Sequence, residues 1–267
     1  MRNSVADQDT DILVSVEAGG LAVVTLNRPA RRNAVRLSMW RRLEEIFVSL
    51  KARPEVKAVI LTGAGGQFCA GADISEFSEV RADAESGRIY EEATERAAIA
   101  IRDYPRPTIA AVSGFGVGGG CGLALTCDFR VGDATTRMGI PAARLGIVYS
   151  ALDSGLLYRQ VGFANAKRVL FSGRFFEIDD CVAMKLVDVR AEGSALDGAR
   201  ALADEFVDNA PLSIEGAKAV LEILAAGEAE AREAEILKLL DQAMESADYR
   251  EGGRAFLEKR KPRFVGR

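Results

Sequence analysis

Two segments rich in small residues hold the chemistry this chain can do: Phe68-Cys69-Ala70-Gly71-Ala72-Asp73-Ile74, and Ser113-Gly114 continuing to Gly118-Gly119-Gly120-Cys121-Gly122. Each follows an apolar run. Short side chains there leave backbone N–H groups unobstructed, so that a pair of them can converge on one anionic oxygen. A pair of such donors is an oxyanion hole; a tight turn with close helix packing is the other use of the same glycines. A dinucleotide fingerprint fits less well, because the glycines do not open a long helix and no acidic residue closes a second strand. The chain contains no histidine. Ser-His-Asp triads, Cys-His pairs and His-ligated metals are therefore excluded, and proton transfer falls to carboxylate, Tyr, Lys or Cys.

The elements that must position these segments are legible from periodicity. Apolar runs at Ile12–Val16 and Leu21–Leu26 flank Gly19-Gly20 and predict a β-hairpin. Ser38 is expected to cap a helix whose Leu43, Ile46, Phe47 and Leu50 share one face, with Arg53-Pro54 ending it. Residues 56–62 and 108–112 read as buried parallel strands, residues 89–104 as a helix, 114–122 as a glycine turn and 123–126 as a short helix. Beyond residue 196 only helical periodicity appears, near 199–209, 212–224, 231–246 and 249–259. The expected organisation is an α/β core over residues 1–200 and a helical region over 201–267.

Composition narrows the function. The 267 residues are 48% hydrophobic and 28% charged, which is ordinary for a globular chain and excludes disorder, collagen and coiled coil. A net charge of -4 leaves no global field for nucleic acid. Cys69, Cys121, Cys127 and Cys181 form no Cys-x-x-Cys pair, and residues 1–10 lack the apolar core of a signal peptide. A cytoplasmic location is expected. Residues 107–127 carry no charge, but six glycines in that stretch argue against a membrane span.

Taken in order along the chain, the two small-residue segments resemble the crotonase (enoyl-CoA hydratase/isomerase) superfamily. The resemblance also takes in Asn27-Arg28-Pro29, Asn33-Ala34, Pro141, Leu145-Gly146, Ser172-Gly173-Arg174, Leu186-Val187, Asn209-Ala210-Pro211 and Phe256-Leu257-Glu258-Lys259-Arg260. It implies a spiral of ββα repeats with a C-terminal helical trimerisation region, a homotrimer or dimer of trimers, and an acyl-CoA thioester as partner. No cofactor or metal is implied, coenzyme A being part of the substrate. By the same resemblance the N–H groups of Ala72 and Gly119 polarise the thioester carbonyl and hold an enolate. Arg31, Arg32, Ala34, Ala70, Asp73 and Ile74 would meet coenzyme A, with Phe256 and Lys259 reaching it from a neighbouring subunit. Arg28, Arg31, Arg32, Arg36, Arg41 and Arg42 fall in a stretch without any acid, which suits the phosphates, although Arg41 and Arg42 read better as a solvated helix face.

The chain departs from the family at the acid–base positions. Gly122 and Ala142 stand where the two hydratase glutamates would be, and Ser150 stands where some isomerases and dehalogenases carry a carboxylate. A positioned acid or base contributes about 10² to 10⁴ in rate and an oxyanion donor about 10² to 10³, so binding and enolate stabilisation would outlast hydration. Tyr149 matches a tyrosine of methylmalonyl-CoA decarboxylases, which however carry histidine where this chain has Ala72. Asp153 is the other candidate, while Ser150-Ala151-Leu152-Asp153 also has the form of a helix capping box. Arg144 is a candidate for an acyl carboxylate, and Glu91, Glu92 and Glu95 lie on the helix before the second buried strand. Three readings follow: an enoyl-CoA hydratase/isomerase-type enzyme with atypical acid–base residues, a malonyl-type decarboxylase, and a non-catalytic acyl-CoA-binding protein.

Overall fold

In the computed structural model, which describes residues 10–267, the chain begins with the expected hairpin: β1 (Ile12–Val16) lies antiparallel to β2 (Leu21–Leu26), with Ile12 opposite Leu26. Residues 1–9, most of the segment read for a leader, lie outside the described residues. From β2 the sheet grows by parallel pairing through β3 (Ala58–Gly63), β4 (Thr108–Val112), β6 (Phe129–Gly132) and β9 (Val189–Arg190). A second sheet of three strands joins β5 (Phe115–Val117), β7 (Arg137–Gly139) and β8 (Phe176–Glu177). Every residue of β4 is buried, as a strand covered on both faces requires.

Helices supply that cover. On one face α1 (Leu37–Lys51) turns Met39, Trp40, Leu43, Ile46, Phe47 and Leu50 inward and packs against α3 (Ala84–Arg102), which buries Tyr90, Ala93, Ala97 and Ile101. On the other, α8 (Ala195–Val207) sets Ala195, Ala199 and Ala203 against Ile60, Ile109, Ala111 and Val131. Helices α9 (Pro211–Ala225), α10 (Glu233–Glu245) and α11 (Ala247–Leu257) follow. This is an α/β fold of two sheets with C-terminal helices.

Several local expectations need correction. Ser38 does not cap α1, which starts one residue earlier; its first amide, that of Leu37, donates to the Glu76 carboxylate at 3.0 Å, a partner remote in sequence. Helix α3 starts at Ala84 because Asp83 and Ser86 form a capping box. The supposed glycine turn at 114–122 is instead β5 followed by α4 (Gly119–Leu125). The uncharged stretch 107–127 thus folds as β4, β5 and α4, and among the described residues no helix is long and apolar enough to cross a membrane.

Candidate active site

Main-chain hydrogen bonds lock the two small-residue segments together. Cys69 N–H donates to the Phe115 carbonyl at 2.7 Å and Val117 N–H donates to the Cys69 carbonyl at 3.0 Å. Next to this, Val35 N–H donates to the Gly71 carbonyl (2.8 Å) and Val35 O accepts from Asp73 N–H (2.9 Å). In such a parallel bridge the residue between the two bonds, Ala72, keeps its own N–H turned away from the partner strand. Gly118 N–H donates to the Gly139 carbonyl at 2.8 Å, and Gly119 opens α4, so its amide has no acceptor within the helix. The two residues come close together: a Cβ placed on Gly119 would lie 3.5 Å from Ala72 N. Such close approach needs Gly71, whose φ is +98° and where a Cβ would stand 2.9 Å from the Val117 carbonyl.

Both line a cavity of about 190 Å³. One wall is aromatic. Trp40, buried on α1, donates its indole N–H to the Tyr90 hydroxyl at 2.9 Å, and burial pushes the Tyr90 pKa up to about 12. The opposite wall comes from α5 (Ala142–Leu145), Tyr149 and the start of α6 (Ala151–Ser172). Ser150 is the N-cap of α6: its hydroxyl accepts from Asp153 N–H (3.1 Å) and donates to the Asp153 carboxylate (3.0 Å).

Asp153 and Gly122 meet inside the cavity. A Cβ on Gly122 would lie 3.4 Å from Asp153 Oδ1, so the carboxyl occupies the space a side chain at position 122 would enter. Burial raises the Asp153 pKa above the ordinary 3.8; the Glu95 charge adds to this and the Ser150 hydroxyl opposes it. Burial also raises the pKa of the Tyr149 hydroxyl, with Cys121, Asp153 and Glu91 reinforcing and Arg81 opposing. Both groups are held in their protonated forms more firmly than in water. The cysteines offer no nucleophile here, since burial pushes Cys69, Cys121 and Cys127 up to about 12. Among the described residues no cluster of three or more His, Cys, Asp or Glu is arranged to hold a metal ion.

Of the residues singled out from sequence, Ala70, Ala72, Ile74, Gly119, Tyr149 and Asp153 line this one cavity, and Glu91 joins them. Others stand apart from it. The Asp73 side chain is buried and occupied with structure, pairing with Arg28 at 2.8 Å and accepting from the Ser75 amide and hydroxyl. Burial alone would raise its pKa, but the Ser75 hydroxyl and the Arg28 guanidinium outweigh that and hold it below the ordinary value. The Ala34 carbonyl accepts from the same Arg28 at 2.6 Å. Arg31 and Arg32 are exposed beside the cavity-lining Ala70, whose N–H donates to the Arg32 carbonyl at 2.9 Å; the Arg32 guanidinium lies over the Phe115 ring. Phe256 and Lys259 are exposed at the end of α11, outside this cavity. Arg144 packs along Gly173 instead of entering it, and Glu92 lies 4.0 Å from Arg96. Sequence reasoning missed Trp40, Phe77, Arg81, Tyr90 and Thr94, all of which line the cavity. A signal existed for two of them: Phe77 and Arg81 are four residues apart, a spacing that stacks a guanidinium on a ring along one helix turn.

Known proteins resemble this arrangement over nearly the whole chain. The enoyl-CoA hydratase/isomerase family model matches residues 17–267. A Thermus thermophilus protein that carries an enoyl-CoA hydratase name is 41% identical over 256 residues, covering 94% of this chain and 100% of its own. The short-chain-enoyl-CoA hydratase of Clostridium acetobutylicum is 33% identical, over 91% of this chain and 93% of its own. Among solved structures, an enoyl-CoA hydratase/carnithine racemase from Magnetospirillum magneticum superimposes with a TM-score of 0.91 at 36% identity, covering 98% of this chain and 97% of that one.

Proposed function

This chain belongs to the enoyl-CoA hydratase/isomerase family, and from that premise we propose that it moves a proton on a short acyl-CoA thioester through an enolate, with Asp153 as the proton carrier. The Ala72 and Gly119 amides receive the thioester oxygen as it takes on charge. Asp153, ionised at the moment of attack, accepts a proton from the carbon chain and returns it; Tyr149 donates a hydrogen bond to the same region. A carboxyl whose pKa is raised by burial is better matched to both halves of that exchange than one at its ordinary value. The observation that carries the reading is the approach of Asp153 Oδ1 to within 3.4 Å of where a Gly122 side chain would begin. In this reading Gly122 and Ala142 stand at the family's two glutamate positions, and Asp153 fills the room that Gly122 leaves.

Of the two carboxyls that line the cavity, Glu91 pairs with Arg81 and leaves Asp153 to the chemistry, which favours a proton shift along the acyl chain over hydration, a reaction that needs one group to activate water and another to protonate carbon. The C-terminal helices leave Leu221, Leu224, Leu237 and Leu240 exposed, which supports the homotrimer or dimer of trimers of the family resemblance. Arg31, Arg32 and the backbone at Ala34, Ala70 and Ile74 then meet coenzyme A, with Phe256 and Lys259 supplied by a neighbour, in the cytoplasm.

The test is turnover of short 2-enoyl- and 3-enoyl-CoA followed by mass spectrometry, with butyryl-CoA binding measured in parallel. Asp153→Asn is expected to lower turnover by about 10² to 10⁴ while butyryl-CoA still binds. Undiminished turnover in Asp153→Asn would remove Asp153 from the chemistry. Butyryl-CoA binding with no turnover in the wild type would leave decarboxylation or binding alone.

A further inference from the structure

The wall that starts at Gly119 and passes through Trp40 and Tyr90 ends at a cation. The Arg81 guanidinium carbon lies 4.4 Å from the centroid of the Tyr90 ring and 4.8 Å from that of Phe77, and all three side chains line the cavity. Two aromatic faces thus fix the guanidinium in place. Its chain is held as well, because Arg81 N–H donates to the Phe77 carbonyl at 3.0 Å and Asp83 begins the capped α3 two residues later. Of its nitrogens, Nη2 pairs with Glu91, Nε is shut off from solvent without an acceptor, and Nη1 has no protein acceptor among the described residues. The Tyr90 hydroxyl accepts from Trp40 and so keeps its own proton to donate.

This end of the cavity is rich in donors that nothing in the chain satisfies. An alkyl terminus placed here would desolvate Arg81 and the Tyr90 hydroxyl and give no acceptor in return, which is unfavourable. A carboxylate is acceptor-only and matches the planar fork of a guanidinium. Glu91 does not block it: its side chain is 56% exposed, holds Arg81 by a single nitrogen and can turn to water. The small cavity volume sets the length of the chain between thioester and carboxylate to a few carbons.

We propose that the acyl group this site takes is a short one ending in a carboxylate, and that Arg81 is the residue that selects it. The inference rests on the acyl-CoA reading above and narrows it to the thioesters of short dicarboxylic acids. Arg81 is a specificity residue here, not a proton carrier.

The experiment compares glutaryl-CoA with pentanoyl-CoA, equal in carbon number and both saturated, by titration calorimetry on the full chain. Wild type is expected to bind glutaryl-CoA about tenfold to a hundredfold more tightly, the range of a charge-assisted hydrogen bond in a partly dry site. Arg81→Met abolishes that preference and Arg81→Lys keeps part of it. Glu91→Gln acts in the opposite direction, raising the preference for glutaryl-CoA over pentanoyl-CoA several-fold, because it removes the competing carboxylate. If both thioesters bind wild type equally, if pentanoyl-CoA binds better, or if Arg81→Met weakens both alike, the selection by Arg81 is overturned while the acyl-CoA reading stands. If neither thioester binds, the acyl-CoA reading fails and this inference with it.

Discussion

On one side of the cavity the proposed donors are main-chain amides, Ala72 and Gly119, each placed by neighbouring backbone bonds between largely buried segments. On the other side the groups proposed to work are side chains, Tyr149 and Asp153, carried by a segment whose neighbours Leu145 and Val148 are 63% and 94% exposed. A backbone donor cannot be exchanged by substitution, only displaced; a side-chain acid can be lost from one position and supplied from another that reaches the same space. On the proposed function, the approach of Asp153 to the vacant side-chain position of Gly122 is an instance of the second kind. With the proposed roles, the difference lets one scaffold keep its hold on a thioester oxygen while its proton chemistry varies.

The comparison breaks most easily at the backbone wall. In Gly71→Ala the new Cβ stands 2.9 Å from the Val117 carbonyl and 3.3 Å from Gly119 N, at a φ of +98° that disfavours any L side chain. The two amides must part, and turnover is expected to fall by about 10² or more, as measured by steady-state kinetics alongside thermal melting. A smaller effect sharpens the contrast from below the site. Asp133 ties the turn after β6 to α8, accepting from the Ser113 and Thr135 hydroxyls and from Thr135 and Ala195 N–H. Burial would raise its pKa, yet these donors outweigh burial and hold it below 3.8. A depressed carboxyl stabilises the fold above its unfolded-state pKa, and that stability is lost as pH falls through the folded-state value. Asp133→Asn is therefore expected to cost about 1–3 kcal/mol at neutral pH and to lose less than wild type on acidification, measured by urea unfolding.

Asp153 carries the opposite sign. Its raised pKa gives stability that is present below 3.8 and declines as pH rises through the folded-state value, so Asp153→Asn should flatten that decline in the same unfolding series. The smallest effect is expected at the aromatic wall, where Trp40→Phe removes the hydrogen bond to Tyr90 and costs about 1 kcal/mol, read as a shift in the unfolding midpoint.

The backbone wall was also the more legible in sequence. Small residues directly after apolar runs marked both segments that line the cavity, and the runs at Ile12–Val16, Leu21–Leu26 and Thr108–Val112 are strands with those bounds. Local pattern suffices where short apolar runs end at turn residues. It fails where a contact comes from far along the chain. The cap of α1 is Glu76, thirty-nine residues from Leu37, so the nearer Ser38 was a plausible but mistaken choice. Arg81 hid for a related reason: it lies in a short link between α2 (Phe77–Val80) and α3, and only the packing of Phe77 against Tyr90 turns it inward. Ser150 and Asp153 show a third case, in which the expected helix cap forms and the same aspartate lines the cavity as the proposed acid.

The central claim is that Asp153 exchanges protons with a carbon held next to the Ala72 and Gly119 amides. Incubating butyryl-CoA with the protein in deuterated water and following α-carbon deuteration by mass spectrometry tests it without any need to know the physiological substrate. The account predicts deuterium incorporation by wild type that Asp153→Asn abolishes while butyryl-CoA binding persists. Incorporation at the wild-type rate in Asp153→Asn, or none in a wild-type protein that binds butyryl-CoA, would contradict it.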